Sequence, residues 1–260
     1  MIRKIAHIII WLILGAWFTV IMGFVSRSNE SLLCKEIRVN VSDSAAVRFV
    51  TATSVRERIS NSGINTQGYP VEEIRTRELE QLLEKDPYIR NAEVYSNVDG
   101  NLMVDVEQRR PLVRVMPGGR EGFYLDHDHV VLPLSDSYSP MVLLLTGHVE
   151  LPRVTGEQGL RRVDPGMDPE WNALLGFAEM VGQHPFWSKQ IVQLYRSPDG
   201  DYEMIPRVGA HQVILGSIEG YEKKLRNLEL LYEQGLKKYG WNTYDKINLK
   251  YSNQIICTKR

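Results

Sequence analysis

The chain has 260 residues, of which 43% are hydrophobic and 24% are charged, and its formal net charge is -1. Such a chain is too apolar to be disordered and is long enough for two small domains. The balance of 31 basic against 32 acidic residues provides no strong field that would attract nucleic acid or an anionic membrane surface. These numbers predict packed domains and give nucleic-acid binding no support.

The N-terminal segment is predicted to cross a membrane. Residues 5–25 contain no Asp, Glu, Lys or Arg, and a helix of about 21 residues at 1.5 Å per residue reaches ~30 Å, the thickness of a bilayer core. Arg3 and Lys4 precede the segment, which predicts a cytoplasmic N-terminus and a chain that lies mostly outside the cytoplasm. A cleaved signal peptide is the alternative, but the apolar run is longer than usual and no A-x-A pattern follows it. The predicted anchor residues are Ile5, Ile10, Leu14, Phe18 and Val25.

The next part of the chain predicts a compact α+β unit. Residues 37–41, 92–95 and 102–107 alternate apolar with polar side chains, as half-buried strands do. Residues 54–63 begin with a capping box and end at a glycine, and residues 74–83 carry an apolar helical stripe that ends before a proline. The predicted order is strand, helix, helix, strand, strand, with two helices covering one face of a three-stranded sheet.

From residue 109 onward the pattern predicts a β-rich domain with peripheral helices. Residues 148–169 show no clear period and are interpreted as a long surface loop. Asp168 and Pro169 can begin a helix whose stripe reaches Val181, and a second helix begins at Tyr221. Strands are predicted at residues 192–195, 202–205, 212–215, 247–251 and 254–258.

The sequence shows no recognisable catalytic pattern: we find no nucleophile elbow, no Ser-x-x-Lys pair, no His-Glu-x-x-His and no phosphate-binding glycine loop. Asp126, His127, Asp128 and His129 alternate carboxylate with imidazole and could place two metal ligands on one side of a strand. A polar hairpin turn is the favoured interpretation, because apolar runs flank this group. We therefore expect a non-enzymatic protein without catalytic residues, cofactor or metal.

Several ordered motifs carry a family resemblance, at residues 104–115, 123–126, 131–134, 214–216, 224–225 and 247–251. Together with the N-terminal anchor, they resemble the FtsQ/DivIB cell-division protein family, which has a POTRA domain followed by a β domain. The resemblance implies a cytoplasmic tail at residues 1–4, a transmembrane helix at 5–25, a juxtamembrane linker at 26–33, a POTRA-like βααββ domain at 34–108 and a β domain at 109–260.

The resemblance also implies a function. Members of the family are divisome scaffolds of the cytoplasmic (inner) membrane at the division septum, with one membrane pass and their bulk in the periplasm. The implied partners are bitopic proteins resembling FtsB and FtsL, and the septal peptidoglycan synthase complex is a further candidate. The resemblance implies a part in controlling septal peptidoglycan synthesis. Two alternatives stay open, a POTRA-containing factor in protein export or assembly and an anchored cell-wall enzyme.

In the family, a partner segment pairs with the last strand of the β domain, which here is predicted at residues 254–258, with Tyr251 on the strand before it. An edge strand presents unpaired amides and carbonyls that an extended partner can complete. The alternative is that the apolar residues of this region fill the core. The expected partner-binding residues are Tyr251, Gln254, Ile255, Ile256, Cys257 and Thr258.

Overall fold

The computed structural model describes residues 10–21, 32–42, 47–156, 160–164, 166, 168–251 and 253–260. Residues 10–21 are helical, and the predicted anchor residues Ile10, Leu14 and Phe18 are exposed there. Ile5 and Val25 lie outside the described residues. Within those ranges, no helix combines the length and the apolar character that crossing a membrane requires. The membrane span therefore stays a prediction from the sequence.

The chain divides into two compact units. The first takes in the chain up to Val41 together with Ala52–Leu83 and Ala92–Val106, and the second takes in Ser42–Thr51, Glu84–Asn91 and Glu107–Arg260. The elements up to the end of the third strand are β1 (Ile37–Ser42), α1 (Ala52–Ser60), α2 (Thr76–Glu84), β2 (Ile89–Ser96) and β3 (Leu102–Gln108).

The first unit is built on a three-stranded sheet in the order β1-β3-β2. Along β3, buried side chains alternate with half-buried ones, as the period of two predicts. The two helices bury one residue pair each, Val55 with Ile59 and Leu79 with Leu83, one turn apart. The observed order of elements is the predicted one, and the mixed α+β class is confirmed.

The second unit contains a nine-stranded sheet in the order β14-β13-β12-β11-β10-β7-β4-β5-β6. The pairs β4/β7, β7/β10 and β12/β13 are parallel, and the others are antiparallel. The strands of this unit are β4 (Pro111–Pro117), β5 (Phe123–Asp126), β6 (Val131–Pro133), β7 (Leu143–Gly147), β8 (Val154–Thr155), β9 (Arg162–Val163), β10 (Ile191–Arg196), β11 (Tyr202–Pro206), β12 (Gln212–Gly216), β13 (Tyr244–Asn248) and β14 (Ile256–Lys259).

Two helical segments share one apolar core with the sheet. Helix α3 (Pro169–Gln183) begins as predicted, with the side chain of Asp168 accepting a hydrogen bond from the amide of Trp171. The short helix α4 (Trp187–Gln190) follows. Helix α5 (Tyr221–Leu231) continues into a π turn (Tyr232–Leu236), so the single predicted helix is interrupted. The shared core contains Trp171, Leu174, Phe177, Val181, Leu225, Leu228, Tyr232, Leu236, Leu145, Leu194, Val213 and Ile247.

The segment predicted as a long surface loop contains structure. Strands β8 and β9 form an antiparallel pair, and Val163 is fully buried. Main-chain hydrogen bonds join this segment to the β6 region, from the amide of Val131 to the carbonyl of Arg161 at 2.7 Å and from the amide of Val163 to the carbonyl of His129 at 2.9 Å. The interpretation of residues 148–169 as a long surface loop missed this pair, because strands of two residues are too short to show a period.

Candidate functional site

Strand β14 lies at one edge of the nine-stranded sheet and pairs with β13 alone. The pairing is antiparallel, with Asn248 opposite Ile256, Ile247 opposite Cys257 and Lys246 opposite Thr258. In the part of the chain that the structure describes, no strand pairs with the other side of β14. The last strand is therefore an open edge, of the kind to which an extended segment can be added.

The strand bounds differ from the predicted ones. Strand β14 begins at Ile256 rather than at residue 254, and Tyr251 lies in a bend after β13 instead of on a strand. The cause is local, because the side chain of Asn248 accepts a hydrogen bond from the amide of Lys250 at 3.0 Å and turns the chain out of the sheet. Residues 254 and 255 consequently have no partner residue on β13.

The side chains of β14 point to two different sides of the sheet. Ile247 is fully buried, so Cys257 opposite it points toward the core and is half-buried. Burial raises the pKa of the Cys257 thiol, which keeps it neutral. Ile256 is 44% exposed and, like Thr258, points to the opposite side. The alternative that these residues fill the core therefore applies in part to Cys257 but not to Ile256.

The main-chain groups that β14 presents outward follow from the ladder. The amide of Leu249 donates to the carbonyl of Ile214 on β12 at 2.8 Å, so Lys246 and Asn248 direct their main-chain groups toward β14. Because directly opposed residues of an antiparallel ladder alternate in bonding, Ile256 and Thr258 bond to β13. The amides and carbonyls of Cys257 and Lys259 therefore point away from the sheet.

An open surface groove of about 590 Å³ lies beside this edge. Helix α5 and the π turn supply one wall, in which Leu230 is 48% exposed. Gln254 and Ile255 supply the other wall, and Ile255 also packs against the core. Tyr251 is 52% exposed and does not line the groove. The full lining is Lys223, Asn227, Leu230, Leu231, Gln234, Gly235, Asn253, Gln254 and Ile255.

Comparison with known proteins assigns both parts of the chain. A family model described as FtsQ/DivIB, C-terminal related, matches residues 110–258, and a model described as POTRA-like domain matches residues 32–107. The chain belongs to the FtsQ/DivIB family.

Two curated relatives are both called Cell division protein FtsQ. One, from Rhodothermus marinus (strain ATCC 43812 / DSM 4252 / R-10), is 30% identical over 177 residues, which are 66% of this chain and 61% of the relative. The other, from Salinibacter ruber (strain DSM 13855 / M31), is 27% identical over 184 residues, which are 68% of this chain and 66% of the relative. The match thus spans less than two thirds of the length of either relative.

In this member of the FtsQ/DivIB family, the Asp126–His129 group forms a hairpin turn. Oδ1 of Asp126 accepts hydrogen bonds from the amides of Asp128 at 2.9 Å and Val130 at 2.7 Å, and Oδ2 accepts one from the buried guanidinium of Arg109 at 2.9 Å. His129 adopts a φ of 62°. The interpretation as a polar turn is confirmed, because the carboxylate of Asp126 accepts hydrogen bonds from two amides of the turn.

Sequence reasoning missed the helical wall of the groove in this family member. The apolar stripe that the sequence shows in this region consists of Tyr221, Leu225, Leu228, Leu231 and Tyr232. Leu230 lies outside that stripe on an otherwise polar face, and a lone leucine at such a position is the signal that was available.

Proposed function

We propose that this chain is a bitopic cell-division protein that acts as a scaffold, without enzymatic activity, by binding an extended segment of a partner protein along β14. Membership of the FtsQ/DivIB family and the names of both relatives support a role in division. The observation that carries the binding mode is the open edge of the sheet, where the main-chain groups of Cys257 and Lys259 point outward.

Strand addition explains both the affinity and the selectivity that such a scaffold needs. A segment that pairs with β14 gains main-chain hydrogen bonds from Cys257 and Lys259 irrespective of its own sequence. Residues directly opposed in a sheet point to the same side, so the partner residue opposite Cys257 points toward the side of α5 and its groove. The partner residues on either side of it lie beside Ile256 and Thr258. Of the expected binding residues, Tyr251 lies outside this arrangement.

We further propose the surroundings in which this binding occurs. The apolar run at residues 5–25 supports a single-pass anchor in the cytoplasmic membrane with the N-terminus inside. The POTRA-like domain (residues 34–108) and the β domain (residues 109–260) then occupy the periplasm at the septum. The partners are bitopic division proteins resembling FtsB and FtsL, and through them the scaffold takes part in controlling septal peptidoglycan synthesis.

Replacing Cys257 by proline tests the binding mode. Proline lacks an amide hydrogen, and at this position the missing hydrogen is one that points away from the sheet, so the ladder with β13 stays intact. We expect Cys257→Pro to lose the partner in co-purification from cells and to retain the melting temperature of the unmodified chain.

Two variants control for other causes. Cys257→Ala removes the thiol but keeps the amide, and we expect it to retain the partner. Thr258→Pro removes an amide that bonds to β13, and we expect it to lower the melting temperature. A folded Cys257→Pro chain that keeps every partner would disprove strand addition at this edge.

A further inference from the structure

A buried histidine lies just before β12. His211 is 4% exposed, its Nε2 lies 2.8 Å from the hydroxyl of Tyr232, and its Nδ1 is buried without a hydrogen-bond partner. The left-handed Gly209 packs against the ring, where a Cβ would lie 2.5 Å from Cε1 of the imidazole. Tyr232 belongs to the π turn and also packs against Trp241. The imidazole is therefore enclosed by the loops that precede β12 and β13.

The same two loops hold the end of β14. The guanidinium of Arg260 donates to the carbonyl of Ala210 at 2.8 Å, and the amide of Arg260 donates to the carbonyl of Thr243 at 3.3 Å. We call these two hydrogen bonds the Arg260 clasp. Ala210 is the residue before His211, and Thr243 is the residue before β13. Arg260 therefore connects the loops around His211 to the end of β14, so movement of these loops would shift that end.

Charging the imidazole would disturb this arrangement. A protonated ring carries N–H groups on both nitrogens, and the N–H on Nδ1 would then have only the carbonyl of Trp241 beside it, to which the structure forms no hydrogen bond of good geometry. Burial lowers the pKa of His211, and the carbonyl of Trp241 opposes part of that shift.

The neighbouring groups offer little compensation for the charge. The π turn contributes the phenol of Tyr232, whose pKa is raised by burial, and α4 contributes the neutral amide of Gln190, which hydrogen-bonds that phenol. The Arg260 clasp brings a second cation to the carbonyl of Ala210. Asp245 of β13, the acid nearest that cation, lies 4.0 Å from it.

We propose that His211 and the Arg260 clasp position β14 for its partner and release it in acid, so that strand addition weakens when His211 takes up a proton. The proposal rests on the proposed function at β14, whose regulation it describes. The sign follows from linkage: because the pKa of His211 is lowered in the folded chain, its contribution to stability is fully present above the unfolded pKa of about 6.5 and is lost as the pH falls from there through the lowered folded pKa.

Amide hydrogen exchange in the purified full chain tests the clasp without any partner. The exchange rates of the Ile256 and Thr258 amides are divided by the intrinsic rates of the same amides at each pH, and this ratio removes the intrinsic pH dependence of exchange. Between about pH 7.5 and about pH 5.5 we expect the relative protection of β14 to fall about fivefold or more.

Two variants distinguish a proton switch from simple loosening. We expect His211→Gln, which keeps a polar contact to Tyr232 but takes up no proton, to show the same protection ratio at both pH values. We expect Arg260→Gln, which loses the charged half of the clasp, to show low protection at both. An unmodified chain with a constant ratio, or a His211→Gln chain that still responds to pH, would overturn the proposal.

Co-purification at the same two pH values separates this inference from the proposed function. If the exchange of β14 responds to pH while Cys257→Pro keeps its partner, the clasp stands and strand addition fails. If Cys257→Pro loses its partner while the exchange is constant, strand addition stands and the pH switch fails. When both stand, the partner is recovered less at the lower pH from the unmodified chain and equally at both from His211→Gln.

Discussion

The two edges of the nine-stranded sheet differ in whether another segment of the described chain covers them. At the β6 edge, residues 161–163 donate and accept main-chain hydrogen bonds, and Val163 inserts fully into the core. At the β14 edge, the described chain adds no strand, and Ile256 stays 44% exposed. An unprotected edge is a liability in a soluble domain. In the described residues one edge is covered and the other is not, a contrast that supports the proposal of a partner at β14.

The two edges also differ in how their ends are held. The turn that leads into β6 is fixed by a buried ion pair, because Asp126 and Arg109 have side chains that are 2% and 6% exposed. The end of β14 is held by the Arg260 clasp and by an ion pair between Arg260 and Asp245 in which both side chains are about half exposed. Surface pairs contribute little to stability, so this ion pair adds little to the hydrogen bonds that hold the end of β14.

The largest effect on this comparison is expected from Asp126→Ala. The change leaves the Arg109 guanidinium buried without its main partner and removes the acceptor of two turn amides. Breaking a buried pair in this way costs about 3–5 kcal/mol, and urea denaturation measures the loss.

Asp128→Ala is the matched control for Asp126→Ala. Its carboxylate pairs with the half-exposed Arg90 at 2.9 Å and lies 3.6 Å from the guanidinium of Arg109, and because this carboxylate is partly exposed, its loss should lower stability much less than the loss of Asp126. Equal losses in the free energy of unfolding for the two variants would contradict the assignment of Asp126 as the residue that holds the turn before β6.

A smaller effect is expected when the segment that covers the β6 edge, residues 161–163, packs less well. Val163→Ala removes two methyl groups from a fully buried site in the main core cluster, which costs about 1–3 kcal/mol in the free energy of unfolding. The amide of Val131, bonded to Arg161, should then exchange faster, and NMR-detected exchange measures it. Arg162 is the exposed residue before Val163, and the control variant Arg162→Ala should change the free energy of unfolding by less than about 0.5 kcal/mol. Unchanged protection at Val131 in Val163→Ala would show that the hairpin does not depend on this contact.

The elements that could be predicted are those with a local signal. Helix α3 has its capping Asp168, a proline in its first turn and an apolar stripe, and all three are present in the structure. The strands β10, β11 and β12 form as expected and pair as antiparallel neighbours along the chain. In each case the residues that specify the element are close to one another in the sequence.

The features that escaped prediction depend on distant or very short segments. The parallel pairs β4/β7 and β7/β10 join strands that are separated by other elements, and no local pattern records such a pairing. The alternation at residues 247–251 suggested one strand, but Asn248 captures the amide of Lys250 and ends it early. The groove was missed because its two walls, α5 and residues 253–255, lie apart in the sequence.

The smallest effect on stability, and a large one on binding, is expected at the open edge. Ile256→Lys places a charge on an exposed side chain whose main chain bonds to β13, so the free energy of unfolding should change by less than about 0.5 kcal/mol. The partner strand loses an apolar neighbour beside its own side chains and must desolvate an ammonium, which should weaken binding about tenfold or more, equivalent to ~1.4 kcal/mol. Co-purification and a titration of the isolated partner segment measure the change.

Thr258→Ser is the matched control for Ile256→Lys, because Thr258 lies on the same side of the strand and the change keeps its hydroxyl. We expect it to bind within about twofold of the unmodified chain, since it alters neither the charge nor the main-chain ladder. A normally folded Ile256→Lys chain that binds as tightly as this control would place the partner elsewhere on the molecule. The difference between the covered β6 edge and the open β14 edge would then not be evidence for a partner at β14.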